Sequence, residues 1–317
     1  MSEFCSIFKE EMDSFLHHLR SLRRDVRCFI TVFNRLDQFL SEKCITEKQI
    51  SKALFEQFVQ CFNVSQNCLY NYLSHFRTFA DYLCSLGFHV YKPELPKYRF
   101  EYVPYVYSDE EWMRIIEAAD NLIIPRCPLY SIQMPILLRI LYGCGTRITE
   151  TLCLKVRDVD LKNGVLTLTQ TKNGKQRLVP MDKSLSMLIG QFITKQELSS
   201  DDYLFHMQRN NERWNTESAD NCFDHILRIA QISYLRKQRH DRGPCLHCVR
   251  HTFVMNSLKK SDREGRCFDE TVPFLSTYLG HSGIRDTDKY LRFCYELYDD
   301  AVEKIEAYTE SLFPEVS

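Results

Sequence analysis

The chain has 317 residues, 44% apolar and 26% charged, a globular balance with room for two domains of ordinary size. It contains no run of 18 uncharged apolar residues, which excludes a conventional membrane-spanning helix, and its Met1-Ser2-Glu3-Phe4-Cys5 start lacks the basic opening of a secretory signal. The formal net charge of -1 conceals an uneven distribution, with seven basic residues and one acid between Gln231 and Lys260. Further basic clusters stand at Arg20, Arg23, Arg24 and Arg27 and at Lys172, Lys175 and Arg177. Such clusters form either a phosphate-binding face or an ordinary solvated surface.

In chain order, apolar residues spaced by three and four predict helices from about Ile7 to Leu86. Phe15, Leu19 and Leu22 mark the first, and Phe29, Val32, Phe33, Leu36, Phe39 and Leu40 the second. A third is expected to begin at Ile45-Thr46-Glu47 and to include Ile50 and Leu54. A fourth runs from Ser65 to Leu86, completing a bundle of about four helices. Pro93, Pro96 and Pro104 then favour extended backbone from Tyr91 to Tyr107. The expected division is a helical domain at 1–100, a linker at 101–107 and a second domain at 108–317.

Ser108 and Glu111 have capping-box spacing, and a helix should follow to about Ala119. Another is expected near Ile132–Tyr142, ending at Gly143 and Gly145. Between Val159 and Met181 the pattern becomes strand-like. Val165–Gln170 and Gln176–Pro180 are the predicted strands, with tight turns at Asn163-Gly164 and Asn173-Gly174. From Ser184 helical spacing returns and persists. The fold class is mainly α with a small antiparallel β-sheet. Fourteen cysteines are scattered along the chain. Cys245-Leu246-His247-Cys248 has no second pair to complete a zinc site, so reduced core thiols in a cytoplasmic protein are expected.

Five short segments carry residues suited to phosphate chemistry. Arg147 follows Gly143 and Gly145, with Thr146 as a candidate N-cap and Glu150 three residues on. Its fork can address a phosphate, or it can form a plain surface ion pair. Lys172 sits at a predicted hairpin tip, as a proton donor to a leaving alkoxide or as a solvated turn residue. His247 and Arg250 share one face of a helix after Pro244, with His251 directed elsewhere. They can serve proton transfer and phosphate binding, or be a core histidine beside a surface arginine. His281 follows Gly280. Tyr290 falls early in a helix that Asp286 or Thr287 can cap, as a nucleophile or a packing residue.

Together, Arg147, Lys172, His247-x-x-Arg250, Gly280-His281 and Tyr290 resemble, in order and local spacing, the catalytic half of the tyrosine recombinase (phage integrase) family. The resemblance runs from Ser108 to about Phe293. Leu154–Leu161 also matches the family's segment entering the sheet, with Arg157 where an aromatic is frequent. The resemblance implies an α+β catalytic domain preceded by a helical core-DNA-binding domain. It implies Tyr290 as the nucleophile, Arg147 and Arg250 binding the scissile phosphate, and His281 hydrogen-bonding it. Lys172 would protonate the leaving 5′ oxygen, His247 would assist proton transfer, and Glu150 would support Arg147.

The function so implied is that of a site-specific DNA recombinase or integrase of a mobile element, working without cofactor or metal. Its partner would be double-stranded DNA, bound as a homotetramer on two sites, alone or with a sister recombinase. An amphipathic helix at Tyr298–Leu312 would dock on a neighbouring protomer or on its own domain. The alternatives are a DNA-relaxing topoisomerase of the same chemistry and an accessory DNA-binding protein that kept the fold. A metal-dependent nuclease is disfavoured because the sequence offers no clustered Asp/Glu/His ligand set.

Overall fold

The computed structural model describes residues 4–22, 24–97, 104–169, 176–208, 210, 212–234, 243–266 and 268–280. The chain divides into two compact units, Met1–Glu101 and Tyr102–Ser317. Lys172, His281, Tyr290, the Asn173-Gly174 turn and the Tyr298–Leu312 tail helix lie outside the described residues.

The first unit holds four helices among its described residues: α1 (Lys9–Ser21), α2 (Arg27–Glu42), α3 (Lys52–Gln60) and α4 (Gln66–Ser85). Their apolar stripes meet in a core dense in aromatic rings, where Phe8, Phe33, Phe76 and Phe79 are all at most 1% exposed. Phe33 and Phe79 face each other across α2 and α4 with ring centroids 4.4 Å apart, a tilted packing that suits the ring quadrupoles. Ser65, expected as the first residue of the fourth helix, is its N-cap, its hydroxyl accepting from the Cys68 N–H at 3.3 Å.

The third helix starts later than expected. Gln49–Ile50 forms a short strand, β1, paired in parallel with β2 (His89–Val90). The Tyr91 N–H donates to the Ile50 carbonyl at 2.8 Å, and Ile50 is 2% exposed. Ser51, in extended backbone, then caps α3 by accepting from the Leu54 N–H. The apolar spacing through Ile50 therefore reflects burial in a strand and not an earlier helical turn.

The second unit is mainly helical around a small antiparallel sheet. The capping box at Ser108 and Glu111 forms as predicted and starts α5 (Asp109–Asp120). Next come α6 (Pro128–Cys144), the short α7 (Ile148–Leu152) and a 3-10 turn at Val156–Asp158. Strands β3 (Val159–Asp160), β4 (Val165–Leu168) and β5 (Arg177–Pro180) form the sheet in that order, both pairs antiparallel. The register opposes Val159 to Leu166 and Leu168 to Arg177. Alternate residues Leu166, Leu168 and Val179 face the core and are at most 1% exposed, the period-2 pattern of a one-sided sheet. Helices α8 (Lys183–Lys195), α9 (Thr216–Ile229), α10 (Leu246–Arg263) and α11 (Phe268–Leu279) complete the described part.

Helix α6 begins four residues before the predicted start, with Pro128 in its first turn, where a missing N–H breaks no helical bond. It ends at Gly145 in the left-handed region, φ +59°. A Cβ placed there would lie 2.2 Å from Cδ1 of Phe253 on α10. Gly145→Ala is therefore expected to destabilise the second unit by about 3 kcal/mol, from the left-handed backbone plus overpacking. A lowered urea midpoint with unchanged slope is the measurement, and an unshifted midpoint would contradict the packing.

Candidate active site

Arg147 is itself the N-cap of α7, in extended backbone, where Thr146 was the expected cap. Thr146 is 1% exposed and serves elsewhere. The Thr151 hydroxyl donates to the Arg147 carbonyl at 3.0 Å, so the Thr146 hydroxyl donates to Thr151 Oγ1 at 2.6 Å. Glu150, one turn into α7, accepts the Arg147 backbone N–H at 3.0 Å and its Nη1 at 2.7 Å. The capping carboxylate and the guanidinium anchor are thus one side chain, buried to 1% exposure.

Arg177, counted in the sequence only within a basic cluster, turns out to belong here. It opens β5 and forms a two-pronged contact with the same carboxylate, Nη1 to Oε1 at 2.9 Å and Nη2 to Oε2 at 2.6 Å. Its side chain is 12% exposed. No local spacing links positions 150 and 177, and the sequence places Arg177 only in the second predicted strand, five residues after Lys172.

Arg250 comes from the second turn of α10 and is 2% exposed, not a surface arginine. Its Nη1 donates to the Gly145 carbonyl at 2.7 Å and its Nη2 to the Leu279 carbonyl at 2.8 Å. Arg147 Nη2 donates to the next carbonyl, Gly280, at 3.3 Å. The two arginines foreseen in the sequence are therefore brought together at the end of α11, immediately before His281 in the chain. Gly280 itself has φ +64°, and a Cβ there would meet Arg177 Nη1 at 2.9 Å. Glycine at this corner lets α11 end against three guanidinium groups.

His247 lies one turn before Arg250 on α10, on the exposed side of the helix. His251, expected to point elsewhere, is one turn after His247, and the two rings meet edge to face at 4.7 Å. The i,i+4 geometry of a helix puts these side chains on one face. Tyr278 lies close to the arginines. Burial pushes its hydroxyl well above the usual phenol range, and the hydroxyl donates to the Cys144 carbonyl at 3.0 Å. Tyr278 is thereby a protonated structural donor.

Burial alone would raise the Glu150 carboxyl. The hydrogen bonds and charges of Arg177 and Arg147 outweigh it and hold that carboxyl down at about 2, against an ordinary 4.5. A depressed folded-state value means that the stabilisation is complete above about pH 4.5 and is lost as pH falls through about 2. Glu150→Gln is expected to cost about 3 kcal/mol at neutral pH, because it leaves two part-buried guanidinium groups without their counter-charge. Urea unfolding should show that loss at pH 7 and a shallower dependence on acid than the wild type. Equal stability of the two proteins at pH 7 would rule out this account. Among the described residues, no group of three or more His, Cys, Asp or Glu side chains is arranged to hold a metal ion, and no helix is long and apolar enough to cross a membrane.

The fold is shared with solved structures of DNA recombinases. The XerH site-specific recombinase bound to palindromic difH substrate, a post-cleavage complex, superposes with a TM-score of 0.68 at 18% identity, covering 89% of this chain and 80% of that one. A lambda integrase dimer bound to a COC′ core site gives 0.64 at 13% identity, covering 89% and 76%. The chain belongs to the phage integrase family, the tyrosine recombinases, whose model matches residues 107–296. A tyrosine recombinase of Pseudothermotoga lettingae is 23% identical over 306 residues, 93% of this chain and 97% of that protein. Tyrosine recombinase XerA of Pyrococcus horikoshii is 25% identical over 212 residues, 67% and 64%. Two integrase/recombinase-type proteins of Sinorhizobium fredii are 34% and 28% identical, and the match spans 66% and 64% of their lengths.

Proposed function

We propose that this chain is a site-specific DNA recombinase that cuts and rejoins DNA through a 3′-phosphotyrosine on Tyr290. The observation that carries the reading is the convergence of Arg147 and Arg250 on consecutive carbonyls just before His281. Two forks fixed to one corner suit a single tetrahedral phosphate better than two independent surface sites. Family membership supplies the chemistry of the rest.

In the reaction, the Tyr290 oxygen attacks phosphorus and the bond to the 5′ oxygen breaks. Lys172 delivers a proton to that leaving oxygen, and His247 assists proton transfer. Arg147, Arg250 and His281 stabilise the charge on the five-coordinate phosphorus. The energy of the broken ester is kept in the phosphotyrosine, so a 5′ hydroxyl from the same or a partner duplex reverses the step. Glu150 acts through Arg147, as a positioning residue. Double-stranded DNA is the partner. The helical unit at 1–100 is the core-DNA-binding domain, joined through 101–107 to the catalytic domain at 108–317. Strand exchange would take place in a homotetramer on two sites, alone or with a sister recombinase, in the service of a mobile element's integration.

The test is covalent trapping. Duplex DNA bearing the true site and a nick beside the scissile phosphate should accumulate a protein–DNA adduct, undiminished in excess EDTA. Peptide mapping should place the nucleotide on Tyr290. Cleavage that disappears in EDTA and returns with Mg²⁺ would replace this reading with a metal-dependent nuclease.

A further inference from the structure

The start of α10 carries a feature that strand transfer does not use. Cys245 is the helix N-cap and Cys248 sits one turn in, with their sulfurs 3.4 Å apart. Cys248 is fully buried, while Cys245 is half-buried. The backbone around the pair is held from several sides. The Tyr107 hydroxyl donates to the Cys245 carbonyl at 3.1 Å, and the Cys248 N–H donates to the same carbonyl at 2.9 Å. The Thr252 hydroxyl donates to the Cys248 carbonyl at 3.0 Å, and its oxygen accepts the Tyr107 N–H at 2.9 Å.

We propose that Cys245 and Cys248 are a dithiol site that exchanges with low-molecular-weight disulfides and closes reversibly to an intramolecular disulfide. The sulfurs need to approach by roughly 1.4 Å to reach bonding distance. With both carbonyls pinned, side-chain rotation supplies most of that movement. The arrangement sorts the two thiols into roles. Cys245 is within reach of solvent at a helix N-terminus, where the peptide dipoles favour a thiolate. The hydrogen bond from Cys248 moves the Cys245 thiol down to about 6, while that shared proton and burial push Cys248 up.

The exchange balances as follows. The Cys245 thiolate attacks one sulfur of the small disulfide, forms a mixed disulfide and releases one small thiolate. Cys248 gives up its proton and attacks the Cys245 sulfur, and the second small thiolate leaves. Two protein thiols are oxidised, one disulfide is reduced to two thiols, and the two cysteine protons end on them. Neighbouring sulfurs give the second step the advantage of an intramolecular reaction, so the mixed disulfide should not accumulate.

The experiment uses the full chain equilibrated with reduced and oxidised glutathione in varied ratio, acid-quenched, alkylated and mapped by mass spectrometry. In oxidising mixtures the peptide containing Cys245 and Cys248 should lose two hydrogens and take no alkylating agent, and dithiothreitol should restore both thiols. The exposed Cys5, Cys28, Cys44 and Cys61 report that the oxidant reached the protein, by carrying glutathione singly. Cys248→Ser should stop at a Cys245–glutathione mixed disulfide. The proposal fails if both cysteines of the wild type remain alkylatable while the exposed ones carry glutathione, or if the wild type accumulates the mixed disulfide. Neither readout involves DNA, so its failure is separable from that of the proposed recombinase activity.

Discussion

A chain carrying Tyr290→Phe is expected to bind its target duplex with near wild-type affinity and to form no covalent adduct. The substitution removes one oxygen atom and leaves the ring. On the proposed mechanism the lost atom is the nucleophile. Loss of a nucleophile elsewhere has slowed reactions on the order of 10⁶-fold, so adduct formation should fall below detection. Binding is expected to rest instead on basic side chains, which the substitution leaves in place, so it should weaken with added salt in the mutant as in the wild type. Gel shift beside trapping on nicked DNA separates the two quantities. An equally abundant adduct in Tyr290→Phe would move the nucleophile to another residue. Tyr278, the tyrosine the structure places beside the arginines, is not a substitute, because its hydroxyl is protonated and bonded to the Cys144 carbonyl.

Arg250→Lys should show the second large effect. Lysine keeps the charge but replaces a planar fork with a point donor on a flexible stem. The Arg250 fork holds the Gly145 and Leu279 carbonyls at 2.7 and 2.8 Å. An ammonium in that buried position cannot span both carbonyls and also reach a phosphate. Removing one well-placed donor to a developing oxyanion slows other enzymes by roughly 10²–10³, and a similar fall in the single-turnover cleavage rate is expected here. Arg250→Ala should add a loss of stability, about 1–3 kcal/mol, because two buried carbonyls lose their donor. A lysine variant that cleaves as fast as the wild type would remove Arg250 from the phosphate site.

Much of this arrangement was legible in the sequence because the signals are local. Periodicity located the helices, the Ser108–Glu111 spacing located a cap, and Arg147 with Glu150 announced their own pairing within one turn. The misses arise where distant segments meet. Arg177 joins Glu150 across 27 positions, and nothing in either neighbourhood encodes that contact. The parallel pairing of Gln49–Ile50 with His89–Val90 is equally non-local, and it turned an apparent helical start into a strand. Thr146 has the side chain of an N-cap, but burial gave it Thr151 as partner and moved the cap to Arg147. Burial is also what sequence spacing assigned least well. The alternative of a core histidine beside a surface Arg250 is reversed, since His247 is exposed while Arg250 is 2% exposed and held by carbonyls at the ends of α6 and α11.

The contact of Gly145 with Phe253 has a consequence for how this family member can change. The ring fills the space a side chain at 145 would need, and that corner presents the carbonyl that Arg250 holds. Positions 145 and 253 are therefore sterically coupled, although they lie 108 positions apart. A smaller side chain at 253 relieves the steric half of the Gly145→Ala penalty and leaves the left-handed backbone half in place, so the two substitutions together should be less damaging than the sum of each alone. Change at position 253 thus alters what position 145 can accept.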